Sequence, residues 1–140
     1  MIKNETKIRV RYADTDAMKF VYYGKYFEYF EQGRSELLRE IGMPYTEIER
    51  HGILIAVVEA YAKYIKSARY DDLLVVETIC NEVPVARIRI EYRIRHEGET
   101  EPFVEGYTVH SFLNESTGRP TRAPAQFVQV VQEAMKQSRE

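Results

Sequence analysis

The chain has 140 residues, with 20 basic and 22 acidic side chains that give a net charge of −2. This balance excludes the basic footprint of a protein that binds nucleic acid or an anionic membrane. The charged start MIKNETKIRV lacks the apolar core of a signal peptide, and the longest apolar run, ILIAVV, is too short to span a bilayer. Cys80 is the single cysteine, so an internal disulfide is impossible. We therefore predict one cytoplasmic domain over residues 1–140, with no nucleic-acid partner and no membrane span.

The first third of the chain predicts a strand followed by helices. Residues 6–13 alternate apolar and charged side chains, and this period places Tyr12 on the apolar face of a half-buried strand. From Gly24 the apolar residues recur at helical spacing, and Gly42 is placed to end that long helix. A second, short helix is predicted over residues 44–51.

The rest of the chain predicts more strands and a terminal helix that Pro124 begins. The predicted strands cover residues 53–66, 73–83, 86–96 and 102–114. Short connections favour antiparallel neighbours, because a parallel crossover needs a dozen or more residues. The pattern thus predicts an α+β domain in which a five-stranded antiparallel sheet buries its apolar face on the long helix, although other α+β arrangements remain compatible with it.

Two carboxylates, Asp14 and Asp16, precede the aromatic run that leads into the long helix. One interpretation is turn chemistry, because Asp side chains accept hydrogen bonds from nearby backbone amides. Asp16, however, lies eight residues before Gly24, too far to cap the helix, and the intervening segment is mostly apolar. A carboxylate is costly to hold in such a segment unless it has a chemical role. The first amides of the helix lack intrahelical acceptors and are suited to hold an oxyanion.

Other catalytic chemistries have weaker support in the sequence. No Cys/His cluster fits zinc, and no second acidic cluster completes a magnesium or manganese site, so we predict no metal and no cofactor. The Gly-x-Ser-x-Gly motif of many serine hydrolases is missing. We interpret His110 as a structural residue of a strand and Cys80 as a packing residue.

The segment RYADTDAMKFVYYGKYFEYFEQGRSELLREIG resembles the 4-hydroxybenzoyl-CoA thioesterase-like family of acyl-CoA thioesterases, within the hotdog-fold superfamily. The likeness continues through YIKSARYDDLLVVET and GRPTRAP, so it covers most of the chain. Its most specific part is Asp14-Thr15-Asp16 followed by Val21-Tyr22 and Tyr26. The resemblance implies a hotdog fold, in which the sheet wraps around the central helix, and hydrolysis of an acyl-CoA substrate without a metal or redox cofactor.

The resemblance also implies the catalytic groups. Asp16 would act as the nucleophile, giving an anhydride, or as the general base that activates water. The amide of Tyr23 would polarise the thioester carbonyl. The chain departs from the family pattern at Met18 and Lys19, where many relatives have glycines, and at Tyr23, where many have His, Asn or Pro.

The predictions for substrate binding and assembly complete the interpretation. Lys66, Ser67 and Arg69 are predicted to bind the CoA moiety, because its phosphates need basic and hydrogen-bonding groups near the cleft. Further basic candidates are Lys63, Arg119 and Arg122. Relatives build active sites between two subunits and a curled sheet leaves free edges, so we expect a homodimer and, beyond it, a homotetramer. The alternative function is a noncatalytic acyl-CoA or acyl-carrier-protein binding module of the same fold.

Overall fold

The computed structural model describes residues 1–138. It contains three helices and six strands in the described part of the chain. In chain order these are β1 Ile2–Arg9, α1 Lys25–Glu40, α2 Tyr45–Arg50, β2 Ile53–Tyr64, β3 Leu73–Cys80, β4 Arg87–His96, β5 Val104–Asn114, β6 Pro120–Thr121 and α3 Ala125–Gln137. None of these helices is long and apolar enough to cross a bilayer.

The strands form one antiparallel sheet in the order β1-β3-β4-β5-β2, with β6 paired to β5. The predicted antiparallel architecture is confirmed, and the five long strands are the five that the pattern predicts. The two-residue strand β6 is additional, because a segment of that length has no detectable period. The order of the strands leaves β1 and β2 at the two edges of the sheet.

The long helix α1 packs across the apolar face of the sheet. Phe30 stacks on Tyr92 of β4, with ring centroids 4.3 Å apart and planes 8° apart. Gly33 lies against β3 so closely that a Cβ atom there would come within 2.9 Å of the Val76 Cγ1 atom. A helix held this close to the sheet has a fixed position and axis. The predicted arrangement, a sheet wrapped around one helix, is therefore correct.

The first strand differs from the prediction in its limits. It covers Ile2–Arg9 rather than residues 6–13, and the chain leaves the sheet in a 3₁₀ turn over Tyr12–Asp14. Tyr12 is consequently 72% exposed, so its predicted place on the apolar face is wrong. The alternation of residue types continues past the end of the strand, and it therefore does not mark where pairing with β3 stops.

A chain of buried hydrogen bonds links α1 and α2 to the sheet. The Arg34 guanidinium donates from Nε to the Tyr45 hydroxyl at 2.6 Å and from Nη1 to the Tyr92 hydroxyl at 3.0 Å. The Tyr92 hydroxyl is also hydrogen-bonded to the Thr108 hydroxyl at 2.6 Å. The Thr108 hydroxyl in turn is hydrogen-bonded to His110 Nε2 at 2.8 Å. His110 is fully buried on β5, in agreement with the structural role predicted for it.

Burial and the positive charge of Arg34 lower the pKa of His110 to about 4, so this imidazole is neutral at pH 7. In the unfolded chain a histidine has its ordinary pKa of about 6.5 and takes up a proton more readily. Stability from this residue is therefore complete above pH 6.5 and is lost as the pH falls towards 4. Between pH 7.5 and pH 5 the loss is about 2 kcal/mol.

Between pH 7.5 and pH 5 the wild type should therefore lose about 2 kcal/mol more of its unfolding free energy than His110→Gln, because the variant lacks the buried imidazole. Urea unfolding at the two pH values measures this difference. His51→Gln is the control, because His51 is exposed and its removal leaves the buried network intact. Identical pH dependence in the wild type and His110→Gln would contradict the assignment.

Candidate active site

Residues 14–22, here called the Asp loop, form a short hairpin between β1 and α1. The Asp16 amide donates to the Phe20 carbonyl at 2.8 Å, and the Tyr22 amide donates to the Asp14 carbonyl at 2.9 Å. Lys19 turns the chain at the tip with φ 68°, and its amide donates to the Asp16 carbonyl at 2.9 Å. These bonds hold the carboxylates of Asp14 and Asp16 on one arm of the loop.

The Asp16 carboxylate is half-buried and is oriented by the loop itself. Its Oδ1 atom accepts hydrogen bonds from the amides of Met18 at 2.9 Å and Phe20 at 3.3 Å. The Oδ2 atom has no donor within residues 1–138. One oxygen therefore fixes the side chain, and the other is available for chemistry.

The Asp loop leads directly into the start of α1. The Tyr22 carbonyl accepts from the Lys25 amide at 2.8 Å, and the Tyr23 carbonyl accepts from the Tyr26 amide at 3.3 Å. The amides of Tyr23 and Gly24 themselves have no acceptor in the part of the chain that the structure describes. Unpaired amides at a helix start favour an anionic oxygen, and the Tyr23 amide, predicted to polarise the thioester carbonyl, is one of these two.

Three of the predicted substrate-binding residues lie in segment 65–72, which connects β2 and β3. This segment pairs with the Asp loop: the Val21 amide donates to the Ala68 carbonyl at 2.9 Å, and Phe20 forms a bridge with Arg69. The Arg69 guanidinium lies 4.9 Å from the centroid of the Phe20 ring. Lys66 and Ser67 are exposed in the same segment. The fold thus brings all three residues next to the Asp loop.

The other basic candidates do not all share this location. Lys63 lies opposite Glu105 on β5, close to segment 65–72. Arg119 and Arg122 flank β6, whose Pro120 lies opposite Leu113. Eight residues of β5 separate Glu105 from Leu113, or about 27 Å at about 3.4 Å per residue. Within one chain, Arg119 and Arg122 are therefore far from the Asp loop.

Four tyrosines, here called the tyrosine cluster, surround the start of α1. They are Tyr22, Tyr23, Tyr26 and Tyr64. The Tyr23 and Tyr64 rings are 6.5 Å apart, and the Tyr64 hydroxyl donates to the Tyr23 carbonyl at 3.2 Å. The rings of Tyr22, Tyr23 and Tyr64 remain 40–63% exposed. The cluster therefore offers an apolar aromatic surface beside the unpaired amides.

Sequence reasoning missed the surroundings of Asp14, which is only 3% exposed. Its Oδ2 atom accepts from the Tyr29 hydroxyl at 2.9 Å and from the Arg11 amide at 3.1 Å. Oδ1 lies 3.3 Å from the Arg11 guanidinium and 3.9 Å from the Lys25 ammonium. Burial opposes ionisation, but the Arg11 amide, the Tyr29 hydroxyl and the Arg11 charge together lower the pKa of Asp14. One sequence feature could have indicated this contact: Tyr29 lies on the buried face of α1, and its hydroxyl needs a hydrogen-bond partner there.

Comparison with known proteins adds to this geometry. A family model described as the thioesterase-like superfamily matches residues 10–134. The chain belongs to this superfamily. It is 40% identical over 88 residues to the acyl-CoA thioesterase YbgC of Haemophilus influenzae, covering 62% of this chain and 65% of that protein.

Two solved structures place this thioesterase-like chain among hotdog-fold proteins. The DHNA-CoA thioesterase from Staphylococcus aureus superimposes with a TM-score of 0.87 at 29% identity, over 99% of this chain and 92% of that one. A 4-hydroxybenzoyl-CoA thioesterase mutant complexed with 4-hydroxybenzoyl-CoA gives a TM-score of 0.83 at 17% identity, over 93% and 99% of the two chains. The predicted hotdog fold and family are therefore confirmed. The chain spans less than two thirds of the length of the curated relatives it matches.

The Asp14 contacts predict the effect of removing its charge. We expect Asp14→Asn to lower the free energy of unfolding at pH 7 by about 1–3 kcal/mol, because two buried donors lose a charged acceptor. Chemical denaturation measures the change. Glu28→Gln on the exposed side of α1 is the control and should change the unfolding free energy by less than about 0.5 kcal/mol. Equal stability of Asp14→Asn and the wild type would contradict the structural role of this carboxylate.

Proposed function

We propose that this protein is a thioester hydrolase that cleaves an acyl-CoA into a carboxylic acid and free CoA. The observation that carries the proposal is the Asp loop: one oxygen of Asp16 has no donor within residues 1–138, and the loop leads into the unpaired amides of Tyr23 and Gly24 at the start of α1. Membership of the thioesterase-like superfamily supports the same reaction class. A thioester is already activated, so one carboxylate and an oxyanion site are sufficient to hydrolyse it.

The proposed chemistry uses groups of this chain alone. Asp16 either attacks the thioester carbonyl carbon, releasing CoA thiolate and leaving an anhydride that water hydrolyses, or deprotonates the water that attacks. In both routes the carbonyl oxygen becomes negative in the transition state. The Tyr23 amide, the predicted oxyanion donor, then donates to that oxygen. The proposal requires no metal and no redox cofactor.

The proposed CoA site lies on segment 65–72. Arg69 and Lys66 supply positive charge for the CoA phosphates, and Ser67 supplies a hydroxyl. Their support is the pairing of this segment with the Asp loop. The tyrosine cluster adjoins this segment, since the Ala68 amide donates to the Tyr26 hydroxyl at 3.1 Å, and it provides the apolar surface that an acyl group needs.

We further propose that the protein works as a homo-oligomer built on the free edge of β2. Within residues 1–138, β2 pairs with β5 alone, so its outer edge offers unpaired backbone groups. Val57, Val58 and Tyr61 on this strand are 53%, 47% and 47% exposed. An exposed apolar edge strand is a template for pairing with another chain. A homodimer formed along β2, and a tetramer of two such dimers, would cover this surface.

The catalytic assignment predicts a large effect of Asp16→Asn. We expect turnover of acyl-CoA thioesters to fall at least ~10²-fold, because the substitution removes the nucleophile or general base. Release of free thiol from a panel of aliphatic and aromatic acyl-CoA thioesters measures the rate, and circular dichroism checks the fold.

The matched control is Glu101→Gln, an exposed acid in the turn before β5, which should leave turnover unchanged. Near-normal hydrolysis by Asp16→Asn would eliminate the role of Asp16. A wild type that binds the panel without hydrolysing any member would instead favour a noncatalytic acyl-CoA binding module.

The assembly proposal predicts that Val58→Lys reduces the oligomer to a single chain of 16.5 kDa. Charge at an edge strand opposes its pairing with a second copy. Light scattering coupled to gel filtration measures the mass. Val85→Lys is the control, because Val85 is equally apolar and 62% exposed but lies in the turn between β3 and β4. A wild-type mass of one chain would refute the proposal.

A further inference from the structure

We propose that the hydrogen bond from Tyr29 to Asp14 is a positioning contact for the reaction. It holds the Asp loop on α1 so that Asp16 and the Tyr23 amide can act on the carbonyl group of the same thioester. The inference rests on the proposed function. It assigns a role to two buried residues that touch neither the substrate nor the reacting atoms.

The contact joins the loop to the helix between two buried side chains. Tyr29 lies one turn after the start of α1 and is 2% exposed, while Asp14 is 3% exposed. The hydroxyl donates to Asp14 Oδ2 at 2.9 Å. Burial, and next the adjacent carboxylate, raise the pKa of Tyr29, so the hydroxyl stays protonated and remains the donor. Since solvent cannot replace it, the bond ties the loop to the helix rigidly.

Asp14 in turn fixes both reactive groups. Its carbonyl accepts the Tyr22 amide at 2.9 Å, and Tyr22 is the residue directly before Tyr23. Asp16 lies two residues after Asp14 on the same arm of the loop. Asp14 is therefore linked to both reactive groups. The chain continues from Asp14 to Asp16, and the hydrogen bond to the Asp14 carbonyl holds the residue before Tyr23.

The hydroxyl and the ring of Tyr29 have separable functions. The ring packs edge-on against Tyr26, with centroids 5.9 Å apart, and this contact does not depend on the hydroxyl. Asp14 keeps the Arg11 amide and guanidinium as donors when the hydroxyl is removed. Tyr29→Phe therefore removes the buried hydrogen bond between the loop and the helix without removing the packing or exposing the carboxylate. The longer contact from the Lys25 ammonium, at 3.9 Å, remains.

Release of the loop should act on the chemical step. A shift of about 1 Å between reacting groups costs up to ~10²-fold in rate, whereas the groups proposed to bind the CoA moiety lie outside the Asp loop, on segment 65–72. We expect Tyr29→Phe to lower kcat about 10-fold and to leave KM within about 2-fold of the wild type.

The control is Tyr45→Phe, which removes a half-buried tyrosine hydroxyl, the acceptor of the Arg34 Nε bond, beyond the opposite end of α1. Both variants are assayed on the best substrate of the panel, at a temperature where denaturation curves show each to be folded. Tyr45→Phe should keep the wild-type kcat. Equal loss of kcat in both variants, or a normal kcat in Tyr29→Phe, would overturn the inference.

A second readout does not depend on activity. Because the Tyr22 amide is protected by the Asp14 carbonyl, its hydrogen exchange should become faster in Tyr29→Phe and stay unchanged in Tyr45→Phe. Unchanged exchange in Tyr29→Phe would show that the loop is held without this contact and would reject the inference. Failure of the proposed function appears differently, as a wild type that hydrolyses no thioester.

Discussion

The close packing of α1 against the sheet determines where every other part of this site lies. At Gly33 the helix backbone approaches β3 so closely that no side chain fits, and the Thr78 hydroxyl beneath it has no hydrogen-bond partner among the described residues. Leaving a buried hydroxyl unpaired is unfavourable, so this approach must be compensated by the apolar contacts along the helix. The result is a helix whose first amides are held at one end of the sheet, beside the Asp loop.

The same packing explains how two charged groups are kept inside the fold by different means. Asp14 is ionised because the Arg11 amide, the Tyr29 hydroxyl and nearby cations compensate its charge at the loop. Arg34 instead lies among tyrosine hydroxyls and has no carboxylate partner in the described chain, while the nearby His110 stays neutral. A polar network that is satisfied in this way specifies one arrangement of α1, α2 and β5. The charge near the active site and the charge near the far end of α1 are thus stabilised independently.

Much of this architecture could be predicted from the sequence, and the failures have physical causes. The strict alternation of Ile88, Ile90 and Ile94 with arginines predicted β4 correctly, because period two is a direct consequence of strand geometry. The alternation of residue types extends to Tyr12, beyond the end of β1. Tyr12 is exposed because the chain there enters the 3₁₀ turn, which the alternation does not reveal. The pairing of segment 65–72 with the Asp loop joins residues about fifty positions apart, so only the fold reveals it. The partners of Asp14 lie much nearer in the chain, at Arg11, Lys25 and Tyr29, but a side-chain hydrogen bond leaves no period in the sequence.

The remaining question for the chemistry is how a half-buried carboxylate is shielded from water. A single chain leaves Asp16 at the surface and leaves Tyr22, Tyr23 and Tyr64 partly exposed around it. Tyr64 is the last residue of β2 and is bonded to the Tyr23 carbonyl, so the free edge strand and the candidate oxyanion site meet at this side chain. A second chain paired along β2 would therefore cover the tyrosine cluster together with the edge. Exclusion of water strengthens every electrostatic contact within a site, so the proposed assembly and the proposed catalysis would depend on the same surface.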